Sequence, residues 1–328
     1  MSLPVKLCCM CDRAEVDLAI DAGATVLGFV GEQPSGPGRL EDDAIADLIA
    51  YVDGRVSCWL LTSTVTWDAL RDQITLTRPN AVQICDEVDV EIYANLRRDF
   101  PHIQLIQVVH VACPAAAANA LRVAPYVDAV LLDSGITTGP NRQLGGTGCT
   151  HDWRLSRAIV DASPVPVWLA GGLSPQNVET AIRQVRPAGV DLCTGVRDAN
   201  YHLDPAKVES FMRGVQVGSS PLELSTGASM AQLQHYVQQL EAHHDWLHVG
   251  AVENGFLMVE EVGELHKALR TLNDKRARSE PIESDLEDVG DEIVDVLNYL
   301  LAQANRLGID VEEAFRRKNT RNLGRSWS

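Results

Sequence analysis

The sequence predicts an α/β (β/α)8 TIM barrel over residues 4–215, followed by a small all-α helical bundle over residues 229–328. Short runs of Val, Ile and Leu alternate eight times with amphipathic stretches, as expected for buried parallel strands joined by helices. Small polar residues break this pattern at 216–228, which we interpret as a linker. Beyond this segment, apolar residues recur only at the spacing typical of helices. An open, doubly wound sheet is the alternative, but the chain lacks a leading glycine-rich dinucleotide fingerprint, and eight alternations favour closure.

The predicted strands are, in chain order, 5–9, 25–30, 56–61, 81–85, 103–109, 127–132, 165–170 and 189–193. Helical patterns between them include 41–52, 67–76, 152–160 and 175–183. We expect Asp152 to cap one of these helices and Ser174, followed by Pro175, to cap another. The bundle is predicted to contain helices at 230–241, 256–272, 286–307 and 311–322, with Gly308 and Asp310 as caps.

Charge and cysteine content limit the function classes. The formal net charge of -17 argues against duplex nucleic acid or an anionic membrane as partner, because both require clustered Lys and Arg. Eight cysteines are too few for a disulfide framework in a chain of 328 residues. No apolar run approaches the length of a membrane span. We therefore expect a cytoplasmic protein with reduced thiols that acts on small molecules, with no nucleic acid and no membrane as partner.

Two groups of acids stand out in the helical part. Glu260, Glu261 and Glu264 fall within about one helical turn. Glu292 and Asp295 share the same i,i+3 spacing further along. Carboxylates gathered in this way repel one another unless a cation neutralises them, and oxygen ligands favour Mg²⁺ or Mn²⁺. The alternative is a solvated acidic face. We favour the metal because apolar residues predicted to pack in a core alternate with the acids, namely Val259, Val262, Leu265, Ile293, Val296 and Leu297.

Residues 229–328 resemble the MazG-like nucleoside triphosphate pyrophosphohydrolases, whose signature is EExxE followed after a gap by ExxD. Here the two motifs are Glu260-Glu261-Val262-Gly263-Glu264 and Glu292-Ile293-Val294-Asp295. The resemblance implies that Glu261, Glu264, Glu292 and Asp295 hold Mg²⁺, with Mn²⁺ possible. It also implies that Glu260 completes the site or orients a water, and that the products are a nucleoside monophosphate and pyrophosphate.

The end of the chain carries a basic element of the same family. Lys318, Asn322 and Arg325 resemble its phosphate-contacting Lys, Asn and Arg, although a basic helix end that complements its own dipole is the alternative. Trp246 is a candidate for stacking on a base, against the commoner role of a core residue. The resemblance further implies a homo-oligomer, a dimer or tetramer formed through the helical domain.

In a closed barrel, reacting groups belong at the carboxyl ends of the strands. Cys8 lies at the carboxyl end of the first predicted strand, and Asp133 follows the sixth. Gly171-Gly172 and Thr194-Gly195 follow the last two strands, where exposed backbone N–H groups suit a phosphate. The glycine-rich stretch 145–148 also follows the sixth strand. Taken singly, Cys8 could be a buried strand thiol and Asp133 a loop acid, but together at matching strand ends they favour an active site.

The barrel residues resemble phosphoribosylanthranilate isomerase over 4–215. The matching strings are Lys6-Leu7-Cys8, Gly28-Phe29-Val30, Val82-Gln83-Ile84, Leu131-Leu132-Asp133, Gly145-Gly146-Thr147-Gly148, Asp152-Trp153 and the stretch from Leu169 to Val178. This family converts a phosphoribosyl amine into its 1-deoxyribulose isomer, an Amadori rearrangement. The resemblance implies that Asp133 is the general acid, that Cys8 is the base and that Arg39 contacts the aromatic carboxylate. Gly146, Gly171, Gly172, Thr194 and Gly195 would bind the phosphate.

The chain departs from the family pattern at several positions. Cys9 replaces a glycine, Cys85-Asp86 replaces His-Gly, Arg197 replaces a glutamate, and Leu203-Asp204 replaces Lys-Asp. A metal at Cys8, Cys9 and Cys11 is a weak option, because consecutive strand residues point to opposite faces.

Three hypotheses remain open at this stage. The leading one is a bifunctional fusion of an isomerase with a Mg²⁺-dependent pyrophosphohydrolase that acts on phosphoribosyl and nucleotide substrates. In the second, the barrel only binds a phosphosugar or regulates the hydrolase. In the third, the helical part binds nucleotides without hydrolysing them.

Overall fold

A computed structural model describes residues 3–33, 38–135 and 150–325. The chain divides into two compact units, Met1–Ser220 and Pro221–Ser328. We call the first the barrel unit and the second the helical unit. The predicted phosphate-binding residue Gly146 lies outside the described residues. None of the described helices is long and apolar enough to cross a membrane.

Eight parallel strands close into a barrel in which each strand pairs with its neighbours in chain order and β1 pairs with β8. This confirms the predicted (β/α)8 architecture. The strands are β1 Val5–Leu7, β2 Val26–Val30, β3 Ser57–Thr62, β4 Ala81–Ile84, β5 Gln104–His110, β6 Ala129–Asp133, β7 Val167–Leu169 and β8 Gly189–Leu192. Their side chains are almost all buried, which explains why the sequence shows continuous apolar runs rather than alternation.

Helices cover the outside of the barrel. They are α1 Arg13–Asp21, α2 Asp42–Val52, α3 Trp67–Thr77, α4 Val90–Asp99, α5 Ala115–Val123, α6 Trp153–Ala162, α7 Val178–Val185 and α8 Pro205–Ser219. Asp152 caps α6 as predicted, since its side chain accepts from the Arg154 N–H. The cap predicted at Ser174 is wrong. The Ser174 N–H instead donates to Asn177 Oδ1 at 2.9 Å, so a turn separates Ser174 from α7.

The last barrel helix is longer than the sequence pattern suggests. α8 continues to Ser219 and so includes the first residues of the segment 216–228 that we predicted as linker. Gly218 explains the extension, because a Cβ there would lie 3.1 Å from the Glu179 Cα on α7. The close packing of the two helices thus carries α8 past Val215.

The helical unit contains α9 Met230–His243, α10 Ala251–Ala277, α11 Glu283–Leu307 and α12 Val311–Leu323. As predicted, Gly308 ends α11 with a positive φ, and the Asp310 side chain caps α12. A small core of Val237, Leu301 and Ala302 joins α9 to α11.

Three of the six apolar residues that alternate with the acids are exposed and do not enter the core that we predicted, whereas Val262, Leu265 and Val296 are half-buried. Val259 is 63% exposed, Ile293 52% and Leu297 37%. A single copy of the helical unit therefore presents an apolar surface on α10 and α11, which we call the α10–α11 face. Contrary to the sequence expectation, these three side chains remain exposed in the helical unit as described.

Candidate functional site

The closed barrel brings the ends of β1 and β6 to the same rim. Cys8 follows β1 directly, and its N–H donates to the Leu192 carbonyl of β8 at 2.9 Å. Its side chain is buried. Asp133 is the last residue of β6 and is partly buried. Parallel pairing around the barrel thus gives one rim a thiol and a carboxyl group, at the two positions that the sequence predicts.

A buried ion pair lies beneath Cys8. Lys6 is fully buried, and its Nζ contacts Asp191 Oδ2 across the β1–β8 pair at 2.7 Å. Burial opposes the Lys6 charge, but Asp191 and the thiol groups of Cys8 and Cys9 raise the Lys6 pKa above its usual value. Lys6 is therefore a buried cation close to Cys8.

Glycine makes room for these two side chains. A Cβ on Gly28 of β2 would lie 2.8 Å from Cys8 Sγ and 3.0 Å from Lys6 Cε. Any larger residue would displace the thiol. The Gly28-Phe29-Val30 string therefore has a direct steric reason in this site.

Burial raises the Asp133 pKa, and His110 on the neighbouring strand opposes that rise. The Ser134 N–H also favours the charged form, donating to Asp133 Oδ1 at 2.7 Å. Burial raises the Cys85 pKa to about 12, and Cys8 and Asp133 both add to the increase. Since one thiol interacts electrostatically with both groups, the base and the acid of the resemblance belong to one cluster.

Two glycine turns border the same rim. Gly171 has φ of 82° and Gly172 of 64°, and a Cβ on Gly171 would lie 2.9 Å from the Ser134 nitrogen. Gly195 lies in a one-turn 3₁₀ helix with Thr194, and a Cβ added at Gly195 would collide with the Leu173 carbonyl oxygen. Both positions therefore require glycine, because a Cβ at either would lie too close to a neighbouring backbone atom. Arg39 is exposed and follows the segment outside the described residues, paired by its backbone with Val30.

The departures from the family pattern are structural at two positions. Cys9 keeps the left-handed backbone, with φ of 66°, that explains a glycine at this place. Arg197 is buried against Glu15 at 2.8 Å, and its Nη2 donates to the carbonyl oxygens of Cys8 and Cys9. Arg197 therefore holds the loop after β1 in place rather than facing the rim as a substrate contact.

Several members of this cluster escaped the sequence reasoning. Asp191 lies inside the predicted run 189–193, and His110 is the last residue of β5, one position beyond the predicted run 103–109. The signal that could have found them is position: both are polar residues at or near the carboxyl end of a buried strand.

In the helical unit, the structure brings three of the predicted acids together. Oxygens of Glu261, Glu292 and Asp295 lie within 4.8 Å of one another. Burial raises the Glu261 pKa, and the charges of Asp295, Glu292 and Glu260 raise it further. This set of carboxylate oxygens, crowded enough to shift a pKa, fits a hard divalent cation.

Two other predicted acids take different positions. Glu264 Oε2 accepts from Lys267 at 3.0 Å and is not part of the close group. Glu260 is exposed and contributes only its charge. Lys318 on α12 and Arg325 just after it are exposed, whereas Asn322 on α12 has a buried Oδ1 without a hydrogen-bond partner among the described residues. Within the described ranges, no hydrogen bond or ion pair joins these three tail residues to the acids.

The fold and the rim define a (β/α)8-barrel protein that sets a thiol, an acid and two glycine turns around one opening. A family model for N-(5'phosphoribosyl)anthranilate (PRA) isomerase matches residues 5–213. The chain belongs to this family.

Relatives agree with this assignment. N-(5'-phosphoribosyl)anthranilate isomerase of Methanothrix thermoacetophila is 34% identical over 212 residues, covering 65% of this chain and 97% of the relative. The solved phosphoribosyl anthranilate isomerase from Thermococcus kodakaraensis is 26% identical with a TM-score of 0.55, over 66% of this chain and 99% of that one. The solved phosphoribosyl anthranilate isomerase from Thermotoga maritima is 25% identical with a TM-score of 0.56, over 65% of this chain and 98% of that one. The family match ends before the helical unit begins.

Proposed function

We propose that the barrel unit isomerises N-(5'-phosphoribosyl)anthranilate to its 1-deoxyribulose isomer, an Amadori rearrangement. The observation that carries the proposal is the cluster of Cys8, Lys6 and Asp133 at the rim. Burial helps Asp133 to keep a proton, as a general acid requires. Cys8 is the base, and the buried Lys6 cation lies close to it.

The reaction follows from these roles. Asp133 donates its proton to the ribose ring oxygen, the C1–O bond breaks, and the nitrogen lone pair forms a C=N bond at C1. Cys8 then removes the C2 proton. The electron pair of the broken C2–H bond forms the C1–C2 double bond, and the C=N bond becomes a C–N bond. The resulting enol becomes the ketone when C1 gains a proton and the C2 hydroxyl loses one. The glycine turns at Gly171-Gly172 and Thr194-Gly195 hold the phosphate, with Gly146 as a further contact, and Arg39 holds the aromatic carboxylate.

The test is turnover of this substrate by the full chain. We expect Asp133→Asn and Cys8→Ser each to lower kcat by about 10²–10⁴-fold. Cys113→Ser, which changes an exposed thiol, is the matched control and should retain activity. If the wild-type chain binds the substrate without converting it, the barrel is a phosphosugar-binding or regulatory domain instead.

For the helical unit, we propose a Mg²⁺-dependent hydrolase that converts a nucleoside triphosphate into its monophosphate and pyrophosphate. The supporting observation is the close group of Glu261, Glu292 and Asp295, which would hold the ion, with Mn²⁺ as a substitute. Glu264 would join them after leaving Lys267. The bound ion supplies a Lewis acid for the phosphate oxygens and lowers the pKa of a water. Glu260 orients the attacking water, and Lys318, Asn322 and Arg325 bind phosphate oxygens.

We also propose that the α10–α11 face is covered by a second copy, which gives a dimer or tetramer. The exposure of Val259 and Ile293 supports this, because large apolar patches on a single copy mark interfaces. Sedimentation of the full chain tests it: a Val259→Asp change should lower the mass of the assembly, and a wild-type monomer at micromolar concentration would refute it.

The hydrolase test is pyrophosphate release from a panel of ribo- and deoxyribonucleoside triphosphates with Mg²⁺. Glu292→Gln should reduce turnover by at least about 10²-fold if the ion is lost. The exposed Glu253 provides the control through Glu253→Gln. Binding of nucleotides without pyrophosphate release would instead make the helical unit a nucleotide-binding module.

A further inference from the structure

A cavity of about 420 Å³ opens in the helical unit next to the acids. Glu261 and Asp295 line it together with Glu241, Trp246, Tyr299 and Arg306. The volume lies within the range of small-molecule sites. Trp246 is 50% exposed, and His244 stacks on one face of its ring with 4.6 Å between the ring centroids, so a planar ligand group would stack on the opposite face.

Glu241 in the wall of this cavity has an unused acceptor. The residue is 6% exposed, and its Oε1 accepts from Arg306 Nη2 at 2.6 Å. Its other oxygen, Oε2, is buried and has no hydrogen-bond partner among residues 3–33, 38–135 and 150–325. A carboxylate oxygen left in this state costs free energy that a ligand N–H would recover.

Arg306 keeps Glu241 in place without using this oxygen. Its Nε donates to the Val249 carbonyl at 2.7 Å and its Nη1 to the Ala302 carbonyl at 3.0 Å. Nη2 serves both Glu241 and the Trp246 carbonyl. The guanidinium is therefore anchored by α9, α11 and the segment before α10, and it fixes the carboxylate with one oxygen free.

Resting on the proposed hydrolase function, we propose that Glu241 makes the site select nucleotides whose base carries an exocyclic amino group, such as cytosine or adenine. The amino N–H donates to Glu241 Oε2, as acidic side chains do towards cytosine N4. Uracil or hypoxanthine presents a carbonyl oxygen at the same place. That oxygen and Glu241 Oε2 are both hydrogen-bond acceptors, so no hydrogen bond forms between them. The acids of the cavity meanwhile lie within reach of the phosphate end of the same ligand.

The experiment compares bases that differ only in this group. In the full chain with Mg²⁺, kcat/KM for pyrophosphate release is measured for CTP against UTP and for ATP against ITP. We expect at least one amino-bearing nucleotide to be preferred over its carbonyl counterpart by about tenfold or more. In Glu241→Gln the amide keeps an acceptor for Arg306 but also offers an N–H to the carbonyl oxygen of uracil or hypoxanthine. The ratio of the two kcat/KM values should therefore fall towards one. Glu253→Gln should keep the wild-type ratio.

A binding measurement separates this inference from the proposed function. Titration calorimetry of CMP and UMP, and of AMP and IMP, into the metal-free full chain needs no turnover. Absence of pyrophosphate release with a preserved CMP or AMP preference would refute the hydrolase and leave the base selection standing. Equal wild-type affinities within both pairs, or a preference unchanged in Glu241→Gln, would overturn the role of Glu241. If Glu241→Gln fails to fold, the two wild-type ratios decide.

Discussion

The two units arrange the charged groups around their candidate sites in opposite ways. In the barrel, charged groups in the interior come in pairs of opposite sign, Lys6 with Asp191 at 2.7 Å and Arg197 with Glu15 at 2.8 Å. The helical unit also has one such pair, Glu241 with Arg306 at 2.6 Å, but its Glu261, Glu292 and Asp295 gather with like charge, and burial together with this repulsion raises the pKa of Glu261.

This difference separates a site that the fold completes from a site that needs a further component. A paired interior is neutral without any ligand, so the barrel rim is electrostatically complete. A cluster of carboxylates is stable only with a cation or with protons. This difference is the reason that we assign the barrel acid Asp191 a positioning role and propose a metal site for the acids of the helical unit.

The largest effect should come from breaking a barrel pair. Lys6→Met keeps the volume of the side chain but leaves the Asp191 carboxylate buried and unpaired. We expect the barrel unit to lose about 3–5 kcal/mol of unfolding free energy, measured by urea denaturation with near-UV circular dichroism. The double change Lys6→Met with Asp191→Asn should recover much of the loss. A single variant as stable as the wild type would show that the pair contributes nothing to the fold.

The fold was predictable because closure depends on repeated local patterns. Each strand is buried on both faces and so appears as an apolar run, for example Leu131-Leu132 in β6. The errors occur where a tertiary contact decides a boundary. Gly218 extends α8 through its packing on α7, and the turn before α7 displaces the cap from Ser174 to Asn177.

The sites were predictable at strand ends and less so elsewhere. Cys8 and Asp133 follow from topology, because parallel strands share one functional rim. His110 could not be ranked without knowing that it faces Asp133 in register. Glu264 was assigned by motif spacing, but its pairing with Lys267 depends on side-chain rotamers that spacing does not contain. Glu241 has no motif and appears only through its unused oxygen.

His110→Asn should shift the pH dependence of the isomerase reaction. His110 lowers the Asp133 pKa, so its removal lets that pKa rise further. Asp133 acts in its protonated form, and activity is lost as pH rises through its pKa. The alkaline limb assigned to Asp133 in kcat/KM should therefore move to higher pH, by up to about one unit. His102→Asn, at an exposed position, serves as the control. A limb that stays or moves to lower pH would contradict the coupling.

The smallest effect, and the one of opposite sign, should come from Glu261→Gln. Without metal, removing one of the like charges should stabilise the helical unit by about 0.5 kcal/mol, measured by thermal unfolding in a chelator. The folded pKa of Glu261 is raised above 4.5, so wild-type stability from this group falls as pH rises from about 4.5 through that folded pKa. The variant should lose this pH dependence.

In Mg²⁺ the order of stability of wild type and variant should reverse, because the wild type gains binding free energy that the variant forfeits. Glu253→Gln should show neither change. Destabilisation in the chelator would refute the repulsion, and a wild type indifferent to Mg²⁺ would refute the cation site, which would leave the acids of the helical unit as an ordinary solvated surface.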